Sequence, residues 1–315
     1  TNHCITVSSG TDALLISLMA IGIKPGDEVI TTPFTWVSTA EVIALLGATP
    51  VFVDIEPSTC NIDQSKIESA VTEKTRAIMP VSLYGQPSDM LEINEIARKF
   101  GLIVIEDAAQ SFGAEYKENI SCNLSGIGCT SFFPSKPLGC YGDGGAIFTN
   151  DENIAQTCRE IRLHGAESKH WHTRIGVGGR MDTIQAAILL SKLERFPIEI
   201  ESRLAIGGRY NDLFDSQSIE RVIQKKDRTS VFAQYTIFSD QRNKLISHLK
   251  ERKIPTAVHY TFPVNQSPAY LDFCKGNTPI SDEIATKVLS LPMHPYLTDE
   301  DQDIIMKSIK EFSAK

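Results

Sequence analysis

The sequence has little that would place the protein in a membrane or in an oxidising compartment. No apolar run approaches the ~18–20 residues that a membrane-spanning helix needs, and no signal peptide is visible. The seven cysteines are an odd number, and no two of them have CxxC spacing. They are therefore interpreted as reduced thiols, and we expect a cytoplasmic protein.

Positive charge and metal-ligand patterns are also scarce. The formal net charge is −8, which argues against a nucleic-acid-binding surface, so an anionic substrate would need a local cluster of donors. Three of the seven histidines, His164, His170 and His172, lie close together without a ligand-like helical spacing. We therefore predict no metal site. Internal repeats and low-complexity tracts are likewise absent from the sequence.

The order of apolar segments predicts an α/β fold. Strand-like runs at 49–54, 77–81 and 102–106 alternate with helical patterns at 63–71 and 89–100. Such alternation is typical of a mainly parallel sheet with helices on both faces. The 315 residues are enough for two domains, which we place at 1–200 and 201–315. The second is expected to be a smaller α+β domain, with one of its strands at 257–260.

Lys136 lies between an apolar run and a glycine-rich turn. Phe132, Phe133 and Pro134 precede it, and four glycines follow between positions 139 and 145. Because proline cannot continue a strand ladder, the chain should leave a buried strand just before Lys136. A lysine held there is a candidate for a lowered pKa and a Schiff base, although this stretch alone favours a surface lysine in a loop.

Asp107 follows a run of four apolar residues, 102–105, that is typical of a strand buried on both faces. Ligands of parallel sheets bind beyond the carboxyl ends of the strands, where Asp107 and Gln110 fall. A carboxylate there can hold a ring nitrogen protonated, which together with a Schiff-base lysine is what pyridoxal phosphate requires. A helix N-cap is the alternative role for Asp107.

Three further segments allow both a functional and a structural interpretation. A small-residue turn at 8–11 opens a helix and can seat a phosphate, or Ser9 or Thr11 can simply cap the helix. Trp36 follows a strand end, where its ring could stack on a flat ligand or pack in the core. The turn Tyr84-Gly85-Gln86-Pro87 follows another strand end and is interpreted as an ordinary strand-to-helix connection.

Seven segments together carry a family resemblance. They occur at 8–14 (SSGTDAL), 33–41 (PFTWVSTAE), 106–113 (EDAAQSFG), 131–145 (SFFPSKPLGCYGDGG), 180–187 (RMDTIQAA), 256–260 (TAVHY) and 291–297 (LPMHPYL). In this order, over nearly the whole chain, they resemble the sugar aminotransferases of the DegT/DnrJ/EryC1/StrS family. The resemblance implies a fold-type I (aspartate aminotransferase-like) protein that uses pyridoxal 5′-phosphate. Family members carry a segment before residue 1 of this sequence, so we expect the chain to lack it.

The resemblance also implies roles for individual residues. Lys136 would be catalytic and carry the cofactor, and Arg180, His259 and Tyr260 would bind substrate. The remaining cofactor-binding residues would be Gly10, Thr11, Asp12, Trp36, Asp107, Gln110 and Ser131. The expected reaction moves an amino group from glutamate to a nucleotide-linked keto-sugar, with C3 of a UDP-2-acetamido-3-keto-uronic acid favoured, in surface polysaccharide (O-antigen) synthesis. A homodimer with shared active sites is implied.

Two positions depart from the family pattern. Gly178 stands where the family commonly has an asparagine that reaches the neighbouring subunit's phosphate, and Asn265 stands where it often has a histidine. Three alternatives stay open: a 4-keto-sugar aminotransferase, an amino-acid aminotransferase of the same fold, and a non-catalytic regulatory or binding protein. The lysine at position 136, where the family's dehydratases have histidine, favours transamination.

Overall fold

A computed structural model describes residues 1–216, 219–274 and 276–313 of the chain. The strands are β1 (His3–Val7), β2 (Glu28–Thr31), β3 (Thr49–Phe52), β4 (Thr75–Ile78), β5 (Ile103–Asp107), β6 (Glu115–Tyr116), β7 (Asn119–Ile120), β8 (Ile127–Ser131), β9 (Gly145–Thr149), β10 (Ala166–Ser168), β11 (Trp171–His172), β12 (Tyr235–Phe238) and β13 (Val288–Leu291). The α-helices are α1 (Gly10–Ala20), α2 (Ser38–Leu45), α3 (Ile67–Ala70), α4 (Met90–Phe100), α5 (Glu152–Arg162), α6 (Thr183–Leu193), α7 (Phe196–Asp215), α8 (Arg242–Glu251), α9 (Pro279–Lys287) and α10 (Asp299–Ser313).

The main sheet has seven strands in the order β1-β9-β8-β5-β4-β2-β3. Only β9 runs antiparallel to its neighbours β1 and β8, so the prediction of a mainly parallel sheet is confirmed. Because β1, β5 and β8 run in the same direction, their carboxyl ends share one edge of the sheet. That edge therefore brings together three distant parts of the sequence: the turn at Ser8, Asp107 and Ser131.

Helices cover both faces of this sheet, as predicted. Consecutive residues of β5 enter different clusters: Ile105 packs with α1 and α5, whereas Val104 packs with α3 and α4. Side chains alternate between faces along a strand, so a strand with apolar residues on both sides must be buried on both. The continuous apolar run at 102–105 thus reflects its central position.

A second core forms around α7, α8, α10 and the antiparallel pair β12–β13. The strand predicted at 257–260 is wrong: only Ala257 bridges to Ser290, and the chain then turns through His259 and Tyr260. The division at residue 200 falls inside α7 and stays a prediction. Among the described residues, no helix is long and apolar enough to cross a membrane.

Candidate active site

Asp107 ends β5 as a buried carboxylate with a protein donor on each oxygen. The Thr39 hydroxyl donates to Oδ2 at 2.8 Å, and the Ala109 N–H donates to Oδ1 at 3.2 Å. Burial raises the pKa of Asp107, while these two hydrogen bonds and the charge of Lys136 oppose that rise. The carboxylate is thus positioned and still has lone pairs for a further donor.

Lys136 lies five residues after the end of β8, in a turn closed by its own N–H donating to the Phe133 carbonyl at 2.9 Å. Its side chain is half-buried. Burial lowers the pKa of the ammonium, and the nearby Asp107 carboxylate raises it in part. The turn can close this tightly because a Cβ on Gly139 would lie 2.7 Å from the Pro134 carbonyl oxygen. The two residues singled out in the sequence are therefore electrostatically coupled.

The N-terminus of α1 lies against the end of β8. Ser9 caps the helix, with its hydroxyl accepting from the Asp12 N–H at 3.0 Å. Within the described part of the chain, the N–H groups of Gly10 and Thr11 have no hydrogen-bond acceptor. A Cβ on Gly10 would lie 2.6 Å from the Ser131 Cβ, so only glycine permits this approach. Free N–H groups beside a serine hydroxyl suit an anionic group.

Asp12 and Thr11 are occupied by the protein itself. The Ser8 hydroxyl donates to the Asp12 carboxylate, and the Thr11 hydroxyl lies 2.8 Å from that of Ser38. The Asp12 carboxylate also lies beside Gly179, in a glycine-rich loop at 175–180 (IGVGGR). The Ser8 N–H donates to the Gly179 carbonyl at 2.9 Å and so holds this loop to the turn before α1. The Asp12 carboxylate would itself repel a phosphate.

Gln110 links the cofactor-side residues to the 259–260 segment. Its Nε2 donates to the Tyr260 hydroxyl at 3.2 Å, and its Oε1 accepts from the Tyr84 N–H at 2.9 Å. The ring of Tyr260 lies 6.2 Å from that of Trp36, centroid to centroid. Trp36 is 58% exposed, so the core alternative for it is wrong and its ring is available to a ligand.

His259 is half-buried, and its Nδ1 lies 3.0 Å from the Ser290 hydroxyl. Burial and the charge of Lys136 lower the pKa of the imidazole. The site thus combines residues of the large core (Asp107, Lys136) with residues of the second core region (His259, Ser290). The role of Ser290 has no signal in the sequence, because a lone serine in a strand is unremarkable.

Arg180 does not join this group. It is exposed, and it has no hydrogen-bond or ion-pair partner among residues 1–216, 219–274 and 276–313. Gly178 lies two residues earlier, and a Cβ there would lie 3.0 Å from the His164 imidazole. Asn265 is buried, donates to the Thr278 hydroxyl at 2.9 Å and lines a groove beside β3. Asn265, which stands where the family often has a histidine, therefore has a local structural role.

Among the described residues, no group of three or more histidine, cysteine, aspartate or glutamate side chains is arranged to hold a metal ion. The functional residue that sequence reasoning missed most clearly is Thr39. It lies in the 33–41 segment quoted for the resemblance, and its contact with Asp107 spans 68 positions. Only the folded sheet brings these two residues together.

Comparison with known proteins gives a consistent result. Residues 1–310 match the model of the DegT/DnrJ/EryC1/StrS aminotransferase family. The UDP-2-acetamido-2-deoxy-3-oxo-D-glucuronate aminotransferase of Pseudomonas aeruginosa is 53% identical, over 98% of this chain and 85% of that protein. The pleiotropic regulatory protein of Geobacillus stearothermophilus is 45% identical over the same shares.

A solved structure gives the same result. NtdA of Bacillus subtilis, with its cofactor PMP bound, superposes with a TM-score of 0.93 and 32% identity, covering all of this chain and 74% of that one. These findings confirm the expected fold type and cofactor. The chain belongs to the DegT/DnrJ/EryC1/StrS aminotransferase family and is a pyridoxal-phosphate-dependent aminotransferase.

Proposed function

We propose that the protein moves an amino group from glutamate to C3 of a UDP-linked 2-acetamido-3-keto-uronic acid, in surface polysaccharide (O-antigen) synthesis. The 53% identity to an aminotransferase of that printed specificity supports the substrate class. The observation that carries the chemistry is the buried Asp107 carboxylate, which accepts a hydrogen bond on each oxygen. The charge of Lys136 opposes the rise of its pKa. A cytoplasmic location stays a prediction from the cysteine pattern.

The residues present fit pyridoxal phosphate. The N–H groups of Gly10 and Thr11, with the Ser131 hydroxyl, would hold the phosphate, and Asp12, which accepts from the Ser8 hydroxyl, would orient the turn that carries them. Asp107 would keep the ring nitrogen protonated, because an opposite charge favours the charged form. Gln110 would donate to the ring hydroxyl with its second amide hydrogen, and Trp36 would stack on the ring face.

When bound, the cofactor supplies a ring that accepts the electron pair of the bond broken at the donor carbon. Lys136 would transfer the protons. Its Nζ, with a lowered pKa, takes the proton from Cα of glutamate in one half-reaction and delivers one to C3 of the sugar in the other. Half-burial of the amine favours its neutral form, which can accept that proton.

A homodimer would complete the site with the neighbouring subunit's Gly-rich loop. Arg180 is exposed, so its guanidinium could bind a substrate carboxylate in the neighbouring subunit's active site. Gly178 lacks the side chain that the family commonly places there, and His164 borders the vacant position. His259 and Tyr260 would contact the sugar, which their neighbourhood to Lys136 and Asp107 supports.

The test has two stages. The absorption spectrum of the purified protein is recorded before and after glutamate, and loss of the lysine-linked cofactor band with gain of the pyridoxamine phosphate band is expected. The amino form is then offered 3-keto and 4-keto sugars linked to UDP and dTDP. Turnover restricted to the UDP-3-keto-uronate supports the proposal, whereas preference for a 4-keto-sugar would replace it with the alternative specificity.

A second candidate is a regulatory protein that binds the cofactor, because one relative at 45% identity carries a regulatory name. The two stages separate it from the enzyme. A folded protein that retains the cofactor but converts neither glutamate nor any keto-sugar of the panel would favour regulation.

A further inference from the structure

Lys136 lies in a long turn, residues 133–144, that connects β8 to β9. The Phe132 N–H donates to the Gly144 carbonyl at 2.7 Å, and the Cys140 N–H donates to the Phe132 carbonyl at 2.8 Å. These two bonds close the base of the turn. The middle of the turn is neither helix nor strand, so its backbone groups need partners from another part of the molecule.

One face of helix α6 packs along this turn. Leu189 of α6 is buried and belongs to the same apolar cluster as Leu138 and Cys140 of the turn. Gln185 lies four residues before Leu189, and Lys192 lies three residues after it, so the helical spacing places all three on one face. The helix therefore brings two polar side chains to the turn, one on each side of an apolar contact.

Both polar side chains bind the backbone of the turn. The Tyr141 N–H donates to Gln185 Oε1 at 2.9 Å, and Lys192 Nζ donates to the Gly139 carbonyl oxygen. Within the described part of the chain, this N–H and this carbonyl oxygen have no other hydrogen-bond partner. Helix α6 thus supplies the acceptor and the donor that the middle of the turn needs.

Lys192 is placed for this contact and not for an ion pair. Its side chain is half-buried, and it forms no ion pair with a carboxylate of residues 1–216, 219–274 or 276–313. Its Nζ lies 5.6 Å from the centroid of the Tyr141 ring, where the face of the ring attracts a cation. A lysine without such contacts would keep its ammonium in water.

The segment that α6 holds is in close contact with the backbone of Lys136. The Lys136 N–H donates to the Phe133 carbonyl oxygen at 2.9 Å. A Cβ on Gly139 would lie 2.8 Å from that same oxygen and 2.7 Å from the Pro134 carbonyl oxygen. Because one carbonyl both accepts from Lys136 and lies against Gly139, a shift of Gly139 would also move Lys136.

We propose that Gln185 and Lys192 are positioning residues, through which α6 fixes the turn so that Lys136 Nζ is aimed at the reacting carbons. The proposal rests on the role of Lys136 in the proposed function. A catalytic group misplaced by about 1 Å can cost about 100-fold in rate. The long lysine side chain provides reach to both carbons, and the fixed turn provides the direction.

Releasing the turn should change Lys136 in two measurable ways. Burial lowers the pKa of the Lys136 ammonium, so a turn that admits water should move this pKa back towards the ordinary value for lysine. Less of the amine is then neutral and able to accept a proton. The value of kcat should fall, whereas KM should change little, because neither Gln185 nor Lys192 is placed at the substrate.

The test measures the free Lys136 amine in enzyme loaded with pyridoxamine phosphate, in which Lys136 carries no cofactor link. Acetic anhydride is added over a series of pH values, and acetylation of Lys136 is followed by peptide mass spectrometry, with exposed Lys24 as internal reference. In Lys192→Met and in Gln185→Leu, the midpoint of Lys136 acetylation is expected at higher pH than in the wild type. For the glutamate half-reaction, kcat should fall about 3- to 10-fold in each variant.

Conservative variants and a matched lysine separate positioning from a general loss of packing. Lys192→Arg keeps a donor and Gln185→Glu keeps an acceptor, so both should recover most of the wild-type behaviour. Lys287→Met is the matched control, because Lys287 is also a half-buried helical lysine but contacts Glu283 and Asp240, away from the turn. It should keep the wild-type acetylation midpoint.

The proposal is overturned if Lys192→Met and Gln185→Leu both keep the wild-type midpoint and kcat. The same shift in Lys287→Met, or no recovery in either conservative variant, would also overturn it. If borohydride instead links the cofactor of the wild-type enzyme to a lysine other than Lys136, the assignment of Lys136 in the proposed function fails. The acetylation midpoints would then still report whether α6 holds the turn.

Discussion

Thr39→Val isolates the hydrogen bond that we consider most important for Asp107. Valine has nearly the shape of threonine but lacks the hydroxyl that donates to Asp107 Oδ2 at 2.8 Å. The Thr35 hydroxyl lies 3.1 Å from that of Thr39 and makes no hydrogen bond to Asp107 in the described part of the chain. The carboxylate would keep only its bond from the Ala109 N–H.

The cost follows from the charge and the burial. A hydrogen bond to a charged group contributes about 1.5–3 kcal/mol, so losing it should weaken cofactor binding about 10- to 100-fold where binding needs the carboxylate. The pKa of Asp107, already raised by burial, should rise further because the donor that opposed this rise is gone.

The sign of the pH dependence follows from linkage. The folded-state pKa of Asp107 lies above its unfolded value, so the carboxyl group favours the folded apoprotein at low pH. That contribution is lost as pH rises through the folded-state pKa. Thr39→Val should therefore lose most stability at high pH and least at low pH. The assays are cofactor titration and urea unfolding of the apoprotein, each at several pH values.

Two variants complete the design. Thr39→Ser restores the hydroxyl and should recover most of the affinity. Thr31→Val is the matched control, because buried Thr31 donates at 2.9 Å to a neutral acceptor, the Met79 carbonyl. If Thr39→Val and Thr31→Val lose the same affinity with the same pH profile, the reasoning about Asp107 is refuted.

Three further changes have defined outcomes. Lys136→Ala should fold yet lose the cofactor link that borohydride traps, with exposed Lys24→Ala as control; trapping in the first variant would contradict the assignment. Burial raises the pKa of Glu106 from 4.5 to about 7, so the Glu106 carboxyl group stabilises the folded protein at low pH, and this contribution is lost as pH rises through 7. In Glu106→Gln the urea midpoint of unfolding should therefore depend less on pH between pH 5 and 8. An unchanged pH dependence of the midpoint would contradict this. The double variant Gly178→Asn/His164→Ala is compared with His164→Ala alone. If the loop reaches a neighbouring subunit's phosphate, the double variant should lose the cofactor about 3- to 10-fold more slowly. Equal rates of cofactor loss would argue against that contact.

The sheet could be predicted because short segments of the sequence are enough to identify its strands. The run at 102–105 is apolar on successive residues, and only a strand covered on both faces needs that pattern. The segment 257–260 misled for the same reason: its β-branched and aromatic residues resemble a strand, but Ala257 alone pairs with Ser290. What the segment contributes instead is two side chains on a turn, which local propensity does not encode.

The site was predictable where chemistry needs a rare residue in a special place. Lys136 and Asp107 stood out because a charged side chain beside a buried strand is costly without a use. Trp36 was ambiguous by sequence, because the residues that flank it in the sequence do not distinguish an exposed tryptophan from a buried one. Thr39 and Ser290 were invisible, because a hydroxyl becomes functional only through the group it meets in the folded chain.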